Sequence, residues 1–143
     1  PEWIASLTDF KSFDFTGRRI MLPVSIDKKN YEFLFDSGCS AFGLITIESR
    51  FNLYTKKRTK QINYDAKAWE GSIPIRSKTS NKPFRLGNVN LNLKRVSYVD
   101  MYTSLQPIMT PFTRIGGWLG NQPFTETTLI LDTKTEEFIV LKK

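Results

Sequence analysis

An aspartate stands at the end of an apolar run, Phe33-Leu34-Phe35-Asp36, and Ser37-Gly38-Cys39-Ser40 follows at once. A carboxylate beside three apolar residues is costly to bury unless hydrogen bonds or a functional task hold it there. Ser37 can bond nearby backbone, and Gly38 suits a tight turn that another segment approaches closely. The candidate chemistry is therefore acid–base work by a carboxyl group. The chain has no histidine, which excludes Ser-His-Asp and Cys-His catalysis within it. It has no Gly-rich phosphate loop and no Cys/His cluster of the zinc type, so neither cofactor nor metal is expected.

A second motif lies far downstream. Ile115-Gly116-Gly117-Trp118-Leu119-Gly120 leads into Asn121-Gln122-Pro123-Phe124, and then comes Thr128-Leu129-Ile130-Leu131-Asp132. Taken in order, the two motifs resemble the paired signatures of the aspartic peptidase superfamily, in its retroviral-type or single-lobe pepsin-like form. The resemblance runs over roughly residues 18 to 141. It implies a closed, mainly antiparallel β-barrel with one or two short helices. In that family the apolar-apolar-Gly strand passes behind the catalytic loop, which would set Leu119-Gly120 against Asp36.

The resemblance also implies a mechanism: two aspartates share a proton and activate one water for attack on a peptide carbonyl, a case the family exemplifies. Asp36 is the expected catalytic residue, supported by Ser37, Gly38 and Gly120. One carboxylate cannot be both acid and base. Asp132-Thr133 superficially repeats the pattern, but Lys134 stands where the family has glycine, so Asp132 is expected to be a turn residue. The second aspartate would come from a homodimer partner or from a second lobe, with Ser37 bracing the two-fold axis. Trp69, Gly71 and Ser72 are the candidate tip of a flap that covers a peptide or protein substrate. Cys39 departs from the small Ala, Ser or Thr usual after Asp-Ser-Gly, and is expected to fill that place as a small, buried, weakly polar side chain. The alternative is an inactive pseudo-protease that keeps the fold for dimerisation or peptide capture.

These residues must be positioned by strands. Arg19 to Ile26 alternates with period two, Asp27 to Asn30 signals a turn, and Tyr31 to Phe35 returns. Pro23 lacks an amide donor, so an edge or irregular strand position is expected for it. Ala41 to Ile47 reads as a buried strand and Glu48 to Lys56 as a short helix. Residues 61 to 75 read as a hairpin turning near Glu70-Gly71. Val89 to Leu93 and Val96 to Val99 follow as strands, and Met101 to Arg114 as a long loop. A helical turn is expected over Pro123 to Thr127, and then a final pair, Thr128 to Leu131 with Glu137 to Leu141. In a dimer, the segments Trp3 to Leu7 and Phe138 to Leu141 are the expected interface strands.

At 143 residues the chain fits one domain spanning residues 1–143, with room for a sizeable core. Its net charge of +7 comes from scattered basic residues, apart from Lys56-Lys57-Arg58 with Lys60. Such a run usually forms a solvated face, and aromatics interleaved with it on one strand are absent, so no nucleic-acid partner is expected. No stretch reaches the length of a membrane span. The opening at Pro1-Glu2 fits a trimmed or mature product, which would be extracytoplasmic if an export signal had been removed. The single cysteine excludes an internal disulfide.

Overall fold

A computed structural model of the chain describes residues 2–55, 57–68, 71–80, 82–99 and 115–142. A short helix, α1 (Glu2–Ala5), precedes β1 (Lys11–Ser12), β2 (Asp14–Thr16), β3 (Arg19–Ile26), β4 (Lys29–Phe35) and β5 (Leu44–Thr46). Then come helix α2 (Glu48–Tyr54), β6 (Ile62–Ala68), β7 (Gly71–Thr79), β8 (Phe84–Leu86), β9 (Val89–Leu91) and β10 (Arg95–Val99). Last are β11 (Gly117–Leu119), a 3-10 turn at Gln122–Phe124, β12 (Thr127–Asp132) and β13 (Glu137–Lys142).

The expected hairpin is present as β3 and β4, paired from Ile20 opposite Phe35 to Ile26 opposite Lys29. Asp27 and Lys28 make the turn with φ of 50° and 68°, the left-handed conformation that two-residue hairpin turns require. Along β3 the alternation is real: Leu22, Val24 and Ile26 are buried while Arg19 and Pro23 are exposed. Beyond its pairing with β4, β3 is registered with β2 over residues 19–21 and with β8 over 24–26. Pro23 falls in the gap between them, where no partner needs its missing amide.

The larger sheet runs β6-β7-β10-β5-β11-β4-β3-β8-β9, with β2 beside β3. A smaller sheet runs β1-β13-β12. This corrects the expectation of a closed antiparallel barrel. The large sheet is an open half-barrel whose edges stand 22 Å apart, and two of its pairs, β10 with β5 and β11 with β4, are parallel. Closure needs the terminal strands to share hydrogen bonds, and β6 and β9 do not. The β8–β9 end is instead covered by side chains of the small sheet: the Phe138 ring lies 3.4 Å from where a Cβ on Gly87 would be.

The main core lies between these layers and contains Leu22, Phe33, Phe51, Tyr54, Phe84 and Phe138, each almost fully buried. Burying side chains of this size contributes roughly 1.5–3 kcal/mol each. Helix α2 enters this core through Phe51 and Tyr54. Phe51 meets the Tyr98 ring edge-on at 4.7 Å, and Thr55 Oγ1 closes the helix end on the Phe51 carbonyl at 2.8 Å. A second, smaller cluster of Ile45, Ile75 and Val99 lies on the opposite face, against Cys39, Phe42 and Trp118.

Other expectations shift locally. The strand expected over Ala41 to Ile47 is confined to Leu44–Thr46, because residues before it belong to a turn closed by Phe42 N–H on the Cys39 carbonyl at 3.1 Å. The segment Trp3 to Leu7 is not a strand: α1 occupies its start, and Leu7 N–H donates to the Ile4 carbonyl. Phe138 to Leu141 is a strand, but it pairs with β12 along its length and Phe138 also pairs with Lys11 of β1. Lys56 and the expected loop Met101 to Arg114 lie outside the described residues. Among the described residues, no helix is long and apolar enough to cross a membrane.

Candidate active site

Asp36 follows the last residue of β4, and its position is set by a strand from far along the chain. β11 lies between β4 and β5: Trp118 is registered with Leu34 on one side and Ile45 on the other. Three further bonds fix this insertion. Gly116 N–H donates to the Glu32 carbonyl at 2.7 Å, Thr46 Oγ1 donates to the Gly116 carbonyl at 2.8 Å, and Asp36 N–H donates to the Leu119 carbonyl at 3.0 Å.

Gly120 then passes behind the loop and donates its N–H to the Gly43 carbonyl at 3.1 Å. A Cβ at this residue would stand 2.1 Å from the Cys39 carbonyl oxygen and 2.3 Å from that of Phe42. Both obstacles are backbone, so only glycine fits. The adjacency of Leu119-Gly120 and the Asp36 loop is thus an observed contact.

Within the loop, Asp36 makes four bonds. Its backbone N–H reaches Leu119, and its carbonyl accepts from Cys39 N–H at 3.1 Å. Carboxylate Oδ1 accepts from Gly38 N–H at 2.8 Å, and Oδ2 accepts from the Cys39 thiol at 3.4 Å. Among the described residues each carboxylate oxygen therefore has one donor and keeps lone-pair capacity, and the residue is half-buried. Such a carboxylate can take a proton from a water. Cys39 is half-buried too, and burial first, then the neighbouring Asp36 charge, pushes its thiol up to about 12. At neutral pH it is a donor and not a nucleophile.

Ser37 is exposed, and no hydrogen bond of its hydroxyl occurs among the described residues; its carbonyl accepts from Asn121 Nδ2 at 2.8 Å. Sequence reasoning passed over Asn121. The signal available was its place directly after Gly120, since a residue following one locked against the loop must lie beside that loop.

Asp132 lies elsewhere, at the end of β12 in the small sheet. Its Oδ1 accepts from Lys134 N–H at 2.8 Å and Thr135 N–H at 3.3 Å, and these bonds hold its carboxyl below the usual range. That is the geometry of a turn. No paired aspartates occur in the described chain, and its described residues contain no His/Cys/Asp/Glu group able to hold a metal. Of the flap candidates, Gly71 and Ser72 open β7 opposite Ala68 and Lys67, with Ser72 exposed. Trp69 lies outside the described residues.

No protein-family model matches the chain, and no curated protein matches it. Among solved structures, a retropepsin-like aspartic protease from Rickettsia conorii matches with a TM-score of 0.53 at 10% identity, covering 92% of this chain and 87% of that one. At that identity the likeness establishes the fold, a distant version of the retropepsin-like aspartic protease fold across most of the chain.

Proposed function

We propose that the protein is an aspartic endopeptidase in which Asp36 is the reacting carboxylate and Asp36 of a second copy completes the pair. The observation that carries this reading is the anchoring of Asp36. Its carboxylate is held by Gly38 N–H and the Cys39 thiol, in a loop locked from behind by Leu119 and Gly120, yet the residue is only half-buried. Such a preorganised, half-buried carboxylate is suited to acid–base work. The fold match supports the same class.

Two carboxylates close together share one proton, so one acts as base on the attacking water while the other donates to the carbonyl oxygen. A two-fold axis beside the loop supplies the second from an identical residue. Ser37, whose hydroxyl makes no hydrogen bond among the described residues, would brace that axis, and the β6–β7 hairpin with Gly71 and Ser72 would cover the extended peptide.

The presence of a single loop aspartate favours a second reading, an inactive module that keeps the fold to bind peptides or to dimerise. Sedimentation over a concentration series, with peptide-library cleavage read by mass spectrometry from pH 3 to 7, separates the two. A concentration-dependent dimer whose cleavage vanishes in Asp36→Asn supports the peptidase. A strict monomer without turnover supports the module.

A further inference from the structure

We propose that Asn121 is a positioning residue for Asp36, acting through the Ser37–Gly38 peptide group. The Asn121 side-chain Nδ2 donates to the Ser37 carbonyl at 2.8 Å. The N–H of that same peptide group belongs to Gly38 and donates to Asp36 Oδ1 at 2.8 Å. A peptide unit is planar and does not twist freely. A donor fixed on its oxygen therefore sets the direction of the N–H on its far side, and with it the orientation of the carboxylate.

The same chain of bonds acts electronically. A donor on a carbonyl oxygen polarises the amide and makes its N–H a better donor, as hydrogen bonds in series do. Asn121 is well placed to impose this. Its backbone follows the locked Gly120, and its own carbonyl accepts Phe124 N–H at 3.0 Å, at the start of the 3-10 turn that includes Pro123. The side chain thus extends from a fixed base. Its amide is neutral, so it orients Asp36 without adding a charge. On the other carboxylate oxygen the Cys39 thiol stands at 3.4 Å, a weaker bond, which leaves the Gly38 bond as the main constraint.

The bearing on catalysis rests on Asp36 being the reacting group, whereas the coupling itself does not. The test uses protein labelled with nitrogen-15 at its eight glycines, with the Gly38 signal identified by its loss in Gly38→Ala. The Gly38 amide proton shift is followed as pH is lowered until Asp36 is protonated. Two variants remove the donor: Asn121→Ala, and Asn121→Leu, which keeps the side-chain size. In both, the pH-linked shift of Gly38 is expected to fall to less than half of the wild-type change, while that of exposed Gly17 is unaltered. Where wild type cleaves peptide, kcat and kcat/KM are expected to fall together by about tenfold with KM unchanged, as for an interaction that acts on the reacting group alone.

An unaltered Gly38 response in both variants overturns the proposal. A weakened response with full turnover overturns its catalytic half. If wild type cleaves nothing but Gly38 responds as expected, the positioning stands and it is the peptidase reading that fails.

Discussion

Replacing Gly120 by alanine adds one methyl group at the point where the chain passes behind the Asp36 loop. The new Cβ would stand 2.1 Å and 2.3 Å from the carbonyl oxygens of Cys39 and Phe42. Contacts of this kind below 3.0 Å are essentially never seen, so the loop must retreat by about 0.9 Å. No side chain can swing aside, because both obstacles are backbone. The retreat strains at least two bonds, Gly120 N–H to the Gly43 carbonyl and Asn121 Nδ2 to the Ser37 carbonyl. At about 1 kcal/mol for each bond and 1–3 kcal/mol for overpacking, the cost is about 3–5 kcal/mol. That is a large part of the 5–15 kcal/mol typical of a folded domain. In urea it would lower the unfolding midpoint by about 1–3 M, and in a thermal scan by roughly 10–15 °C. The control is Gly17→Ala. Gly17 has φ +60° and nothing within 4 Å of its Cβ position, so only backbone strain applies, about 1 kcal/mol. A Gly120→Ala protein no less stable than Gly17→Ala would refute the close-passage argument.

Asp36→Asn is expected to abolish peptide cleavage and leave the melting temperature within a few degrees of wild type; a fully active variant, measured by peptide turnover, would remove Asp36 from the mechanism. Asp132→Asn is expected to leave turnover intact, because that carboxylate caps a turn in the small sheet, and its loss of activity in the same assay would restore Asp132 to the pair. Ser37→Ala should leave monomer stability unchanged and weaken only dimer affinity, by about 1 kcal/mol for a lost bond across the axis, as read by sedimentation. Cys39 is raised in the fold from 9.0 to about 12, so alkylation by iodoacetamide at pH 8 should be roughly a thousandfold slower than in unfolded chain. The sign of its stability linkage follows from the same shift: a raised thiol stabilises the fold fully below about pH 9, and that contribution is lost as pH climbs towards 12. Flat stability across that range in wild type, relative to Cys39→Ala, would contradict it.

Local pattern in the sequence carried much of the architecture. The β3–β4 hairpin was legible from alternation and its turn residues, α2 from the loosely helical spacing of Phe51, Leu53 and Tyr54, of which Leu53 is exposed, and the β12–β13 pair from two apolar runs around a polar turn. The approach of Leu119-Gly120 to Asp36 was legible only through motif order, since nothing local in residues 115–120 specifies a partner some eighty positions earlier. Closure of the sheet was misread for a related reason. Whether edge strands join depends on the twist and length of every strand between them, and three-residue strands such as β8 and β9 leave no trace of this in periodicity. Asn121 was missed because its side chain bonds a carbonyl, and a carbonyl offers the same acceptor whatever residue carries it. The short helix at Glu2–Ala5 was missed because four residues cannot display a helical period.

The threading of β11 between β4 and β5 has a kinetic consequence. These two strands are close in sequence, joined by the loop that carries Asp36, yet they hydrogen-bond to β11 and not to each other. An early hairpin between β4 and β5 would be a trap, since it would have to reopen to admit the later segment. The local bonds from Gly38 and Cys39 can form early, but those that lock the loop from behind, to Leu119, Gly120 and Asn121, cannot form until residues 116–121 have arrived. Loop closure over such a distance is slow relative to hairpin formation. A chain that has been made only as far as β10 therefore carries the aspartate without the strand that locks it from behind.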